Sequence, residues 1–444
     1  MPEEDATNER GQRVGQNVRL GVGYADTNQR LAANGRKGMD DQARAIGRRV
    51  RYWRTRRNLE RQQFADMVDR STSWVDKIEK GERCLLRLPM LERVAEVLNI
   101  DPTALTDSSA AQRAADCVDA VEVQVIRTAL GRYPSVAAAG SDRRCATLDT
   151  VTRQLVYIEH AWSSSHFTVV SKHLPKLLGD AQVAVLTTSA ANQVVAHRAL
   201  VAAYRLASSM LLKFNANDIA WLAADRAMHT ALAVDDTVAL ARATRSVARA
   251  MSSSGQRADA IAVLMGMADR MRPQLPAREH ELRSLYGMLF LAASIAAARQ
   301  DDATQAVAMH QEAEAAADRI GARHDTHQTS FGPANVAVHR VAALVRLHEG
   351  GRALEYAQGI DTALHGTLPP ERKANYLLDL TQALVQVGRY SDAVGTLGEA
   401  EHVAVEEVRC RPLAHGLLRS LLDTTSGESG RLVRQMAIRA GLAA

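Results

Sequence analysis

The chain has 444 residues, a net charge of +5, 46% hydrophobic residues and only 4% aromatic ones. That length suits two or three domains, and a core drawn mainly from Ala and Leu suits helix packed on helix. The longest apolar run, Leu285 to Ala298, is too short to span a bilayer and reads as a buried helix. The four cysteines, Cys84, Cys117, Cys145 and Cys410, show no metal spacing; reduced thiols in a cytoplasmic protein without a metal are expected.

Residues 1–39 are polar, rich in Asn, Gln, Gly and Arg, and nearly free of large apolar side chains. Such a segment cannot build a core, so a disordered extension is expected. Met39 stands directly before DDQARAIGRRV, where the helical pattern begins, so Met39 is a candidate translation start. Residues 40–105 hold 14 basic and 11 acidic residues, while the segments on either side carry +1 each. The positive excess therefore sits mostly in one small region, the pattern of a protein that meets nucleic acid at one end.

Ile46 to Ile100 read as a chain of short helices. In the first, from about Arg44 to Arg57, Ile46, Val50 and Trp53 recur at four and three and share one face. The other faces carry seven arginines. Asn58 ends this helix. The second helix turns Phe64, Ala65 and Val68 inward, and Asp69 to Ser71 break it. Ser71 or Ser73 caps the third helix, which buries Val75 and Ile78 and stops at Gly81. Trp74 either packs on the second helix or touches a base; Asp76 either reads a base or faces away. A fourth helix, about Pro89 to Leu98, buries Leu91, Val94, Ala95 and Leu98, and Leu105 anchors one more turn. Two short helices joined by a tight turn are the unit that lays its second helix in a DNA major groove.

The pattern IxxxVxxWRxxRxL from Ile46, the Phe64-Ala65 pair and STSWVDKIEKGER from Ser71 resemble the Cro/C1-type (XRE family) helix-turn-helix repressors without a gap. That resemblance implies an ion pair between Arg54 and Glu79 that fixes the recognition helix. It implies base contacts from Thr72, Ser73 and Lys77. Arg61, Gln62 and Gln63 at the start of the second helix, with Lys80 and Arg83, would hold phosphates. Cations and free helix N–H groups suit phosphates, and the first turns of an inserted helix suit base edges. Glu60 stands where the family has Ser or Asn, so a weaker cap is expected there.

From about Ala111 the pattern is helical throughout. Breaks recur at Asn215, Gly255, Ala298 to Asp302, Gly350 and Gly388. Ala-rich amphipathic stretches follow three of them: ADAIAVLMGMADRM, DATQAVAMHQEAEAAADRI and SDAVGTLGEAEHVA. The spacing suggests five to seven degenerate tetratricopeptide-like helix pairs stacked as a solenoid. DIAWLAADRAMHTA, SLYGMLFLAASIAAARQDD and TSFGPANVAVHRVA resemble the tetratricopeptide-like halves of large actinobacterial XRE-type regulators. The likeness implies a dimer and a surface for a small molecule, peptide or protein effector. Phe331, Asn335 and His339 are the candidate ligand residues there, the last two being four apart on one helix face. His324 and His327 form an isolated pair without a third metal ligand. Trp162, Trp221 and Tyr286 are expected in the core.

The expected fold is all-α: an extension over 1–39, a lambda-repressor-like helix-turn-helix domain over 40–107, and a tetratricopeptide-like α-solenoid over 108–444. No nucleophile elbow, phosphate loop or metalloprotease motif is present, so neither an enzyme nor a cofactor is expected. The expected function is a cytoplasmic, homodimeric, DNA-binding transcriptional regulator with no membrane role. The rival readings are an interaction scaffold with vestigial DNA binding and a phage-immunity or antitoxin repressor.

Overall fold

Residues 41–57, 59–85, 87–107, 120–133, 146–320, 327, 329–361 and 366–442 are described by a computed structural model. Every regular element among them is a helix. Asn58, His324 and the extension over 1–39 lie outside the described residues. The chain divides into two compact units, Met1–Ala111 and Gln112–Ala444.

The first unit holds α1 (41–56), α2 (Arg61–Met67), α3 (Thr72–Glu79), α4 (Leu88–Leu98) and α5 (Thr103–Thr106). Ile46, Val50 and Trp53 of α1 are buried with Phe64 and Ala65 of α2, Val75 and Ile78 of α3, and Leu91, Val94 and Leu98 of α4. Helices this short are marginal alone, so this shared apolar core is what keeps them folded. Two arginines, Arg49 of α1 and Arg57 just beyond its end, close the unit from outside. Arg57 Nε donates to Leu98 O at 2.9 Å, and Arg49 Nη1 donates to Leu105 O at 2.8 Å. A guanidinium at a helix C-terminus satisfies an orphan carbonyl and meets the negative end of the helix dipole.

The second unit runs through α6 (Ala120–Leu130), α7 (Leu148–Ser163), α8 (Phe167–Thr187), α9 (Gln193–Lys213), α10 (Asn217–Leu232) and α11 (Thr237–Ser253). It continues with α12 (Arg257–Met271), α13 (Glu279–Ala298), α14 (Ala303–Ile320), α15 (Pro333–Arg346), α16 (Gly350–Gln358) and α17 (Pro370–Gln386). It ends with α18 (Tyr390–Val403), α19 (Val405–Arg409), α20 (Pro412–Thr424) and α21 (Gly427–Arg439). From α7 to α18, consecutive helices pack on each other, and α9, α11, α13, α15 and α17 pack in succession as an inner row. The apolar stretch Glu281–Ala298 is long enough to cross a membrane by length and composition, yet 83% of it is buried in this unit.

Within the second unit, one turn joins two described helices six times. Ser165, Asn215, Gly255, Asp301, His348 and Gly388 all take the left-handed conformation between two helices. In each case the next residue donates its N–H to the carbonyl five positions back: His166 to Ala161, Ala216 to Leu211, Gln256 to Met251, Asp302 to Ala297, Glu349 to Leu344 and Arg389 to Leu384. This is the Schellman C-cap, which satisfies a helix's last carbonyls while reversing the chain. It divides α7 to α18 into six helix hairpins. The break expected at Gly350 is displaced: His348 makes the turn. Gly350 sits in the first turn of α16, where a Cβ would come within 2.7 Å of Ala383 O.

The array closes on itself. Helix α17 touches α7, and Glu406 of α19 accepts from Thr168 N at 2.8 Å and Thr168 Oγ1 at 2.9 Å at the start of α8. Behind this contact the buried ammonium of Lys213 pairs with Glu371 at 2.8 Å and with Glu407. It also lies 5.1 Å from the Trp162 ring and 4.9 Å from the Phe167 ring. Burial holds Lys213 below its ordinary range. Burial would raise the Glu371 carboxyl, but Arg372, Lys213 and Arg411 outweigh it and hold the group low. Removing one partner of such a set strands a buried charge, at a cost of about 3–5 kcal/mol.

Burial, reinforced by Arg372, pushes His339 down to about 3; burial and Arg340 push His310 down to about 4. Both imidazoles are neutral in the fold but protonate near pH 6.5 in an unfolded chain. Stability from these two groups is therefore complete above that pH. It falls as the pH drops from 6.5 toward 4, by about 1.4 kcal/mol per pH unit per histidine. The urea midpoint of the full chain, followed by its helical signal, should fall between about pH 7 and about pH 5. His339→Gln should flatten that fall; a wild-type slope in this variant would contradict the assignment.

Candidate nucleic-acid interface

Helix α3 is short, and its direction is set from three sides. Ser71 Oγ accepts from Trp74 N at 3.2 Å and caps the start. Gly81, at φ +74°, ends the helix, and a Cβ there would come within 2.6 Å of Arg44 Cα. Across the middle, Arg54 Nε donates to Glu79 Oε1 at 2.5 Å and Nη2 to Oε2 at 3.3 Å, while Nη1 donates to Leu59 O at 2.7 Å. Arg54 is 9% exposed and Glu79 7%, so the pair is enclosed by the fold. A forked guanidinium on a carboxylate fixes orientation as well as distance.

The inner face of α3 consists of Trp74, Val75, Ile78 and Glu79, all buried. The outer face carries Ser73, Lys77 and Lys80, exposed, with Thr72 and Asp76 half-buried. Trp74, at 8% exposure, packs into the unit's core. Asp76 faces Lys80, Oδ2 to Nζ 2.6 Å, one turn along. The hydrogen bond to Lys80 lowers the Asp76 carboxyl and raises the Lys80 ammonium. Freeing Lys80 for any other partner means opening this solvent-exposed pair, which costs little. Arg83 is exposed in the following loop. The loop is held by Glu82 N and Arg83 N, which bond to Lys77 O at 2.9 and 3.1 Å.

Arg61, Gln62 and Gln63 form the exposed first turn of α2. Glu60 and Gln63 make a reciprocal capping box, with Gln63 Oε1 accepting from Glu60 N at 3.1 Å. The cap expected to be weaker at Glu60 is supplemented by this pairing with Gln63. Gln62 Nε2 donates to Asp66 Oδ1 at 2.8 Å, and Arg61 Nε lies 3.4 Å from Glu79 Oε2. The structure therefore brings the exposed first turn of α2 and the outer face of α3 to the surface of one unit, with Arg61 linking them through Glu79.

Of the three ligand candidates in the second unit, Phe331 and Asn335 are buried and His339 lines a cavity. Phe331 is buried, and its ring fills the space beside Gly287, where a Cβ would lie 2.0 Å from Phe331 Cζ. Asn335 is fully buried against Met288 Sδ at 3.7 Å. His339 lines a cavity of about 250 Å³, and its Nδ1 donates to Asn335 O at 2.8 Å. Of the expected core aromatics, Tyr286 is buried, Trp162 half-buried and Trp221 36% exposed. His327 Nε2 bonds to Glu281 O at 2.8 Å, and no metal-binding group occurs among the described residues.

A family model described as a helix-turn-helix domain matches residues 45–107. The first unit is accordingly a helix-turn-helix domain, the class of module that supports DNA binding. No curated protein matches the chain.

Sequence patterning passes over Gly47. It sits mid-helix in α1, and a Cβ there would lie 2.1 Å from Ile78 O and 3.1 Å from Glu79 O. Here the backbones of α1 and α3 pack against each other with no room for a Cβ between them. The available signal was a glycine inside a strong helical pattern, which costs about 1 kcal/mol relative to Ala and so calls for a packing reason. Gly47→Val should cost about 3 kcal/mol or more by forcing the two backbones apart. It should abolish DNA binding and expose the first unit to limited proteolysis. Gly179→Ala, with open space around its Cβ, is the matched control. Wild-type protease resistance in Gly47→Val would contradict the close approach.

Proposed function

We propose that this protein is a sequence-specific, DNA-binding transcriptional regulator. The observation that carries the proposal is the outer face of α3, where Thr72, Ser73 and Lys77 stand beside the exposed first turn of α2. The helix-turn-helix match over residues 45–107 supports it. In this reading the domain is of the Cro/C1 type: Lys77 and the hydroxyls of Thr72 and Ser73 read base edges. Arg61, Gln62, Gln63, Lys80 and Arg83 hold phosphates. The protein acts in the cytoplasm as a homodimer, placing two recognition helices about 34 Å apart on a near-palindromic operator.

The six hairpins of the second unit support its reading as a tetratricopeptide-like solenoid, with spacings of 40 to 50 residues between turn positions. Its role in this account is to sense an effector and bias operator binding, and it carries no catalytic activity.

Selection of bound DNA from a random pool, with the full chain at two salt concentrations, tests the proposal. A two-fold symmetric motif should be enriched and should survive the higher salt. Thr72→Ala with Lys77→Ala should lose it and keep only weak, salt-sensitive binding, since each good base contact is worth about 1–3 kcal/mol. Enrichment of no motif by the wild type would favour an interaction scaffold.

A further inference from the structure

Inside the second unit, two adjoining cavities of about 520 and about 250 Å³ share Arg245 and Arg372 in their walls. Their combined size is that of a small-molecule site. The larger is lined on one side by Trp162, Leu285 and Met288, the smaller by Arg249, Arg299 and Arg346.

The cations in these walls outnumber the acids. Glu159 is shared by Arg205 at 2.9 Å and Arg242 at 3.1 Å, Glu371 serves Lys213 and Arg372, and Asp379 serves Arg346. Among the described residues Arg245, Arg249 and Arg299 have no carboxylate within ion-pair distance. Arg249 donates only to Ser209 Oγ at 3.0 Å, and the Arg245 Nε is buried with no partner. The exposure that Arg245 keeps is to the cavity it lines.

Desolvation pushes the Arg245 guanidinium well below its ordinary value and brings Arg242 and Arg249 down to about 10. Burying unpaired arginines is costly, and nothing in the packing of α11 demands them, because the neighbouring positions are Ala, Thr and Ser. A bound anion would supply the missing charge.

We propose that the linked cavities are a binding site for a small organic polyanion. Its acidic groups would lie among Arg245, Arg249 and Arg372, and its ring or apolar part against Trp162. Guanidinium groups clustered this way favour phosphate or carboxylate oxygens, which they hold in pairs. The site gives the proposed sensor a ligand class, but the anion can bind whether or not α3 reads an operator.

Thermal unfolding of the full chain without DNA tests the site, with ATP, tripolyphosphate and citrate as probes at 1 mM each and moderate salt. At least one should raise the melting temperature by about 5 °C. ATP acting alone would indicate an organic body, equal effects of ATP and tripolyphosphate the phosphate chain, and citrate acting alone a carboxylate ligand. Arg245→Gln should abolish the shift. The same variant should melt no lower than the wild type when free, because it removes an uncompensated charge; an arginine retained only for structure would lower the melting temperature on substitution. No shift with any probe, an equal shift in Arg245→Gln, or a variant that melts lower when free would overturn the site. Loss of the DNA motif in the α3 variants, with the anion shift retained, would instead count only against the operator reading.

Discussion

Arg54 and Glu79 join α1 to α3 through two hydrogen bonds in a space nearly closed to water. The same arginine holds Leu59 O just before α2, so one guanidinium ties together α1, the start of α2 and α3. An enclosed ion pair contributes little net stability, because desolvation cancels most of the attraction, but it is intolerant of any other angle. Gly47 makes that angle reachable by letting α1 approach the backbone of α3 without a Cβ between them. The outer face of α3 then follows as a geometric consequence: with Trp74, Val75, Ile78 and Glu79 turned in, Thr72, Ser73 and Lys77 must turn out.

The second unit solves a different problem with charge and turns. Each hairpin reverses through one left-handed residue, and the six reversals stack twelve helices whose inner row crowds Ala and Ser side chains together. Small side chains let helices approach closely but leave little apolar area per residue. Buried charge completes the closure, with Lys213 between Glu371 and Glu407 where the last helices return to α7 and α8. On the inner face of α11, Arg242, Arg245 and Arg249 exceed the acids available to them, and the cavities lie there.

Much of this was legible in the residues. Ile46, Val50, Trp53, Phe64, Val75, Ile78 and Leu98 declare the core by spacing alone, because a helix with one wet face must repeat its apolar residues every three or four positions. Gly255 and Gly388 announce their turns, since glycine takes the left-handed conformation freely. Ser165 and His348 make the same turn without that signal. An L-residue pays about 1–2 kcal/mol there, which the Schellman hydrogen bonds repay only in the folded chain. The arginines were the hardest to read. Seven between Arg44 and Arg57 look alike in sequence, yet Arg49, Arg54 and Arg57 bond to the protein's own carbonyls and carboxylate. A stripe such as Arg242, Arg245 and Arg249 reads as a solvated face until its neighbours enclose it.

Entry of the outer face of α3 into a major groove, as proposed, would leave a chemical footprint on the bases. Methylation interference on DNA selected by the full chain measures this most directly, because dimethyl sulfate marks guanine N7, an acceptor that the major groove presents. Methylation at a few guanines in each half-site should block binding, and Lys77→Ala should relieve the block at one of them. Interference confined to phosphate ethylation, with every guanine N7 freely methylated, would contradict groove entry and leave the unit an electrostatic clamp.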